Sequence, residues 1–194
     1  MTRTTLRLIF TALLLILGVA AVSADPIPAP RFPAGNLLKN PEFTNGLNHW
    51  SLTNTDGIDK VKCNGVGHNS DCGFRFKGNG PAEATVLKQV YVPQATTSTE
   101  AVVVLAEAYA RSLSGTSCLK FTLKVLFNGV NYEPLKESFN TCGTGVLGSW
   151  TGPLAFGDNT SFPEKKLRKA VLSIKHTGAG EWIVDTLSLF MESK

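Results

Sequence analysis

The chain has 194 residues, with 19 Lys and Arg residues against 15 Asp and Glu residues, a net charge of +4 and four cysteines. Once a leader segment is set aside, this length suits one domain with a single sizeable core. The small net charge argues against nucleic acid and anionic membranes as partners, because proteins that bind these partners carry a strong basic excess.

The first 24 residues have the pattern of an export signal. Arg3 and Arg7 precede the apolar run LIFTALLLILGVAAV, and Val22, Ser23 and Ala24 match the small-residue pattern before a signal peptidase site. The alternative is an uncleaved anchor, although the run lies at or below the short end for spanning a bilayer. Cleavage predicts a secreted, extracellular protein with 17 basic and 15 acidic residues and no membrane attachment.

Residues 25–35, DPIPAPRFPAG, form the next segment and contain four prolines. Proline removes a backbone donor and fixes φ, so this segment predicts an extended linker and not a strand of the core.

The rest of the chain, residues 36–194, predicts one all-β domain. Short apolar or alternating runs recur, rich in Val, Phe, Tyr, Thr and Ile, and Gly, Asn, Pro and Ser separate them. This pattern is typical of an antiparallel β-sandwich. In two runs, alternate side chains define the expected core face: Phe121, Leu123, Val125 and Phe127 in the later run, and Val102, Val104, Ala106, Ala108 and Ala110 in the earlier one.

The four cysteines, Cys63, Cys72, Cys118 and Cys142, indicate disulfides in an exported protein. Three pairings are possible, and proximity favours Cys63 with Cys72 and Cys118 with Cys142. Zinc is the alternative, but the spacings are not paired C-x-x-C and His49, His68 and His176 form no ligand pattern with them.

The two ends of the predicted domain resemble carbohydrate-binding modules of families four, nine and twenty-two. The segment NLLKNPEFTNGLNHW, residues 36–50, is similar to the opening of these modules, and WIVDTLSL, residues 182–189, is similar to their closing strand. The resemblance spans residues 36–190. It implies a galactose-binding-like jelly roll that binds a poly- or oligosaccharide, with Trp50 and Trp150 buried in the core.

The resemblance also implies a structural calcium ion that ties the two ends together. In these modules its ligands include a Glu that follows the Phe of the opening segment and an Asp pair near the end. Asp185 matches one ligand, whereas Thr44 and Thr186 stand at the other two positions. Calcium prefers six to eight oxygens with some carboxylate charge, so we expect a weakened calcium site at most.

Candidate ligand-binding residues follow from the chemistry of sugars. A pyranose ring has apolar faces and polar edges, so its site needs an exposed aromatic ring flanked by charged or amide groups. The face opposite the core set of the AVVVLAEAYAR run offers Glu107, Tyr109 and Arg111, and Arg75 is expected on the same sheet. Further candidates are Gln89 and Tyr91. The alternative is that Tyr109 packs under a loop and that Arg111 forms a surface ion pair with Glu107.

Catalytic motifs were sought and not found in the sequence. It contains no G-x-S-x-G and no H-E-x-x-H, and the three histidines lie far apart. The sequence therefore predicts a non-catalytic protein whose partner is carbohydrate. The alternative is an extracellular structural or adhesion protein that uses the same sandwich to contact cell-surface or matrix proteins.

Overall fold

The computed structural model describes residues 35–53, 58–80, 84–93, 102–127, 134–143, 150–158 and 167–193. The predicted signal peptide, residues 1–24, lies outside the described residues, as does the linker predicted over residues 25–35 except for Gly35. No helix of the described ranges is long and apolar enough to cross a membrane.

In these ranges, ten antiparallel strands form two five-stranded sheets, which confirms the predicted β-sandwich. Sheet A has the order β1-β4-β9-β6-β7 and sheet B the order β2-β3-β10-β5-β8. The strands are β1 (Ser51–Thr53), β2 (Lys60–Lys62), β3 (Gly73–Gly78), β4 (Ala84–Tyr91), β5 (Val102–Gly115), β6 (Cys118–Phe127), β7 (Leu135–Cys142), β8 (Thr151–Asp158), β9 (Leu167–Thr177) and β10 (Gly180–Ser193).

Alternation along the strands builds the core between the two sheets. On β6 the predicted set is buried, from Phe121 at 0% exposed to Phe127 at 6%. On β5 the small side chains from Val104 to Ala110 also face inward, where they leave room for the large rings of Phe43, Phe74 and Phe76. Burying these apolar side chains supplies the main favourable free energy of folding.

A bulge in β10 keeps this alternation in phase with the core. Asp185 pairs with Tyr109 and Ser188 with Glu107, so three steps along β10 match two steps along β5. The extra residue lets Val184 and Leu187 both point inward, although they are three residues apart. Thr186 lies in the bulge with φ of 51°, a left-handed conformation that is strained for a β-branched residue.

The opening segment forms a compact turn against the end of the chain. The Leu37 amide donates to Leu189 O at 2.9 Å, which joins this segment to β10. Asn40, with φ of 50°, closes the turn: its Nδ2 donates to Gly46 O at 2.9 Å and its Oδ1 accepts from the Asn45 amide at 3.1 Å. The Trp50 indole donates to Asn40 O at 2.9 Å, so the turn anchors a core tryptophan.

Both disulfides predicted from proximity are present. Cys118 and Cys142 are direct register partners on β6 and β7, so this bridge holds the edge strand of sheet A to its neighbour. Cys63 and Cys72 close a loop of residues 63–72 between β2 and β3, which is called the disulfide loop below.

Candidate functional site

The outer face of sheet B brings together four of the predicted ligand-binding residues. Arg75 on β3 and Arg111 on β5 both pair with Ile183 of β10, so the two guanidinium groups flank one position of the central strand. Further along β5, Tyr109 lies opposite Asp185 and Glu107 opposite Ser188. The alternation of side chains along β5 predicted that Glu107, Tyr109 and Arg111 share a face. The position of Arg75 beside Arg111 depends on the order of the strands in sheet B.

The disulfide loop folds back onto this face and is held there by Asp185. The fully buried Asp185 carboxylate accepts the His68 backbone N–H at 2.7 Å and the Ser70 hydroxyl at 3.2 Å, both through Oδ2. On the other side of the loop, Arg111 Nη2 donates to Val66 O at 3.4 Å. The loop is therefore bound to two strands of sheet B and is not a free surface loop.

His68 of the disulfide loop completes an aromatic cluster with Tyr109 and Trp150. The His68 ring stacks on Tyr109 with centroids 3.8 Å apart, and it meets Trp150 edge to face at 5.3 Å. The Arg111 guanidinium lies 5.0 Å from the centroid of the Trp150 ring. All four side chains are half-buried, so the cluster presents ring surface and a cation to solvent.

Gly152 supports this cluster from beneath. Its φ of 152° is unfavourable for other residues, and a Cβ there would lie 2.8 Å from Tyr109 Cδ1. Tyr109 is thus enclosed between the His68 ring and the backbone at Gly152. Tyr109 thus packs under the disulfide loop, as the alternative from the sequence stated. It supports the cluster from within, and Trp150 and His68 form the outer part.

The expectation that Trp150 is buried in the core was wrong. Trp50 and Trp182 are 7% and 3% exposed, whereas Trp150 is half-buried on the outside of sheet B. Its placement follows from the register of the edge strand: β8 pairs with β5 through an irregularity between Ala108 and Ala110, immediately where Trp150 leads into β8. A change of one residue in register moves a side chain to the opposite face.

Charges on the outer face of sheet B are mixed. Glu181 forms ion pairs with Lys77 at 3.2 Å and with Arg75 at 3.8 Å. Burial raises the pKa of the Glu107 carboxyl above its ordinary value. Three buried nitrogen atoms, Arg75 Nε, Arg111 Nε and His68 Nδ1, have no hydrogen-bond partner among the described residues. Buried nitrogens without a partner, together with a carboxyl whose pKa is raised, are features that ligand-binding sites share more often than other surfaces.

Gln89 and Tyr91 lie elsewhere. Gln89 is 5% exposed, and its amide accepts from the Lys39 N–H at 2.7 Å and donates to Lys39 O at 2.8 Å, so it joins β4 to the opening segment. Tyr91 lines a cavity of about 380 Å³ at the open end of β4, together with Leu37, Lys39, His49, Gln89, Val90 and Val92. Gln89 is therefore a buried residue bound to the backbone of the opening segment, away from the predicted ligand-binding face.

The Asp185 carboxylate is occupied on one side only. Its Oδ2 accepts the His68 amide proton and lies within hydrogen-bond distance of the Thr186 and Ser70 hydroxyls, although the Ser70 hydroxyl is closer to Cys72 O, at 2.7 Å. Its Oδ1 is buried without a hydrogen-bond partner among the described residues, so this oxygen is open to the expected calcium ion. Thr44 adds no carboxylate, and its hydroxyl bonds to Asn40 instead. Within the described ranges, the one cluster of metal-ligating side chains is Cys63, Asp71 and Cys72, whose thiols form the disulfide.

Reasoning from the sequence missed His68 and Trp150 as members of the site. The disulfide pairing indicated that His68 sits on a closed loop, but the surface on which that loop lands is set by Asp185, 117 residues away. Nothing in the local pattern signals such a contact.

Comparison with known proteins supports the fold. No protein-family profile and no curated protein matches the sequence. Among solved structures, a family 61 carbohydrate-binding module in complex with β-1,4-galactotriose is 20% identical, with a TM-score of 0.55 over 82% of this chain and 100% of that chain.

Two further solved structures align with this chain. The enzymatically active domain of tailspike protein 4 from bacteriophage CBA120 is 13% identical, with a TM-score of 0.57 over 81% of this chain and 21% of that chain. The CBM22-1 and GH10 modules of Clostridium thermocellum xylanase 10B with xylohexaose match at 15% identity and a TM-score of 0.49, over 81% of this chain and 29% of that chain. The chain has the jelly-roll β-sandwich fold found in the family 61 carbohydrate-binding module.

Proposed function

We propose that the protein is a secreted, non-catalytic carbohydrate-binding module whose sugar site is the aromatic cluster on the outer face of sheet B. The observation that carries the proposal is the half-buried Trp150 ring in contact with Arg111 and His68, on the face of sheet B that also carries Glu107. The family 61 module of the same fold was solved with a galactotriose, which supports the ligand class.

The chemistry of the cluster suits a sugar. The exposed ring surface of Trp150 can pack against the C–H face of a pyranose, and such contacts exclude water from apolar surface. Arg111 and Arg75 can donate to ring hydroxyls, and the Glu107 carboxyl can accept from them. The rings are already packed against each other, so little side-chain entropy is lost on binding.

Titration calorimetry with β-1,4-galactotriose and with xylohexaose tests the proposal. Binding of either oligosaccharide is expected, and Trp150→Ala should weaken it by at least about tenfold because the apolar platform is lost. Phe139→Ala is the matched control, since Phe139 is an exposed aromatic residue on sheet A.

Two results would overturn the site. One is an equal loss of affinity in the Trp150→Ala and Phe139→Ala proteins. The other is no binding of any neutral oligosaccharide to a wild-type protein that melts cooperatively.

A role in protein contacts is the second candidate. It is favoured by the exposed Val90 and Val92, which are 45% and 60% exposed beside the cavity at the end of β4. Exposed apolar side chains next to each other mark contact surfaces. Sedimentation velocity over a range of protein concentrations tests this role, which predicts self-association that Val92→Asp abolishes and that galactotriose leaves unchanged.

A further inference from the structure

The outer face of sheet A carries a group of lysines contributed by four strands. Alternation along each strand places them on this side of the sheet, and all but Lys169 are exposed. These residues are called the lysine face below: Lys88 on β4, Lys120 and Lys124 on β6, Lys136 on β7, and Lys169 and Lys175 on β9.

The register brings two pairs of like charges directly opposite each other. Lys120 pairs with Lys175 across β6 and β9, and Lys124 pairs with Lys136 across β6 and β7. Like charges at opposed positions of a sheet are destabilising, so this arrangement lowers the stability of the free protein. A ligand that carries negative charge would relieve this repulsion on binding.

Nothing in the described part of the chain neutralises this face. Both ion pairs formed by described residues lie on sheet B and share Glu181, and the six lysines take part in neither. Of the 19 Lys and Arg residues in the chain, six lie here, and the remaining 13 are outnumbered by 15 acids. The basic character of the protein is therefore concentrated on one face, which the net charge of +4 conceals.

The side chains between the lysines are mixed: Ser173 and Thr122 are short and polar, whereas Val171 pairs with Lys124, and Val86 with Lys175. Lys88 lies opposite Ser173, which in turn pairs with Thr122, and the Thr122 and Ser138 hydroxyls lie 3.2 Å apart. The surface extends over about 14 Å across the strands and about 20 Å along them, from the spacing of strands and residues. Hydroxyl groups set among cations can bind both the hydroxyls and the anionic groups of an acidic sugar polymer.

We infer that the lysine face binds an anionic polysaccharide, whose carboxylate or sulfate groups pair with the ammonium groups. This is a second surface, on the opposite sheet from the aromatic cluster, and it does not depend on that cluster. Single-stranded nucleic acid fits less well, because its proteins stack bases on aromatic rings and the described side chains of this face include none.

Paired charged and neutral polymers test the inference. Binding of the purified protein to dextran sulfate and to polygalacturonate is compared with binding to dextran and to neutral galactan. We expect the protein to bind dextran sulfate more tightly than dextran, or polygalacturonate more tightly than galactan, or both. The charged polymer that binds more tightly identifies sulfate or carboxylate as the recognised group.

Variants locate the binding. Lys120→Gln with Lys124→Gln should lower the affinity for the preferred polymer by at least about tenfold and reduce the slope of log K against log salt by about 2. Lys60→Gln with Lys62→Gln is the matched control, since it removes two charges from β2 of sheet B. Thermal melts of both proteins confirm that they remain folded.

Three results would overturn the inference: equal binding of charged and neutral polymers, an equal loss of affinity in the control protein, or tighter binding to a single-stranded oligonucleotide or to phosphatidylserine vesicles at the same salt concentration. Trp150→Ala separates this inference from the proposed function. It should weaken binding of neutral oligosaccharides and leave binding of the charged polymers unchanged.

Discussion

The His68 amide and the Asp185 carboxylate are joined by a hydrogen bond of 2.7 Å across 117 residues of sequence. This contact fixes the disulfide loop on sheet B through the one residue, Asp185, that matches a ligand of the expected calcium site. The loop thereby holds the His68 ring against Tyr109 and Trp150.

Replacing Asp185 should destabilise the protein and loosen the cluster. Asp185→Ala leaves the His68 N–H without its acceptor, whereas the Ser70 hydroxyl keeps Cys72 O at 2.7 Å, and the substitution should lower the free energy of unfolding by about 2 kcal/mol. Asp185→Asn keeps an acceptor oxygen and should cost less. Urea unfolding measures both, and equal stability of the wild-type and Asp185→Ala proteins would show that the contact contributes nothing.

Calcium should have little effect on stability. Asp185 offers a cation only its Oδ1 atom, and Thr44 and Thr186 add no carboxylate. Calcium prefers six to eight oxygens with some carboxylate charge, so the melting temperature should be nearly the same in excess chelator and in millimolar calcium chloride. Asp185→Asn serves as the control. A rise of several degrees with calcium in the wild type, absent from this variant, would contradict the prediction and restore the calcium site.

The two disulfides should differ in what they contribute. On the chain-entropy relation, opening the bridge of sequence separation 24 should cost about 3.4 kcal/mol, and opening the bridge of separation 9 about 2.6 kcal/mol. Only the Cys63→Ser, Cys72→Ser protein should also lose binding of neutral oligosaccharide, because it frees the loop that carries His68. Calorimetry and urea unfolding on both double variants measure the two effects, and an equal loss of binding in both would argue against a role for the loop.

Asn40 combines a left-handed backbone with a network of hydrogen bonds, and two substitutions separate the two contributions. Asn40→Gly loses the bonds to Gly46 and Asn45 but relieves the backbone, so about 2 kcal/mol of stability should be lost. Asn40→Ala loses the same bonds and adds about 1 kcal/mol of steric cost. Equal unfolding free energies for the two variants would show that φ at this position carries no strain.

The raised pKa of Glu107 predicts how stability depends on pH. A carboxyl whose pKa is higher in the folded state binds its proton more tightly there. The stability that the Glu107 carboxyl contributes is therefore fully present below the pKa of the unfolded chain, about 4.3. It is lost as the pH rises through the higher pKa of the folded state. Glu107→Gln should be more stable than wild type at neutral pH, and the difference should shrink as the pH falls. Parallel stability curves for the two proteins would contradict the effect of burial.

Local patterns were sufficient to predict the sandwich and its core. The alternation of Phe121, Leu123 and Val125 is a property of one strand, and the structure buries all three. The pairing of Cys118 with Cys142 also follows from a short intervening segment. Contacts of this kind depend on neighbours in sequence, and for this reason they could be predicted.

Features that depend on strand order could not be predicted. The sequence suggested Gln89 as a ligand-binding amide. Its hydrogen-bond partner, the backbone of Lys39, lies 50 residues away, so the contact leaves no local pattern. The family resemblance implies a buried Trp150, and the register irregularity between Ala108 and Ala110 that accompanies its outward position is not visible in the sequence. The lysine face depends on β4, β9, β6 and β7 being neighbours, and until they are aligned its cations look like ordinary solvated residues.

The opposed pairs formed by Lys120 with Lys175 and by Lys124 with Lys136 give salt two contrary effects. Added sodium chloride screens the repulsion within the free protein, so its melting temperature should rise with ionic strength. The same ions compete with an anionic polymer for the lysines, so the polymer's own stabilisation of the fold should fall over that range. At a fixed polymer concentration, the thermal stability of the mixture should therefore pass through a minimum as salt is increased.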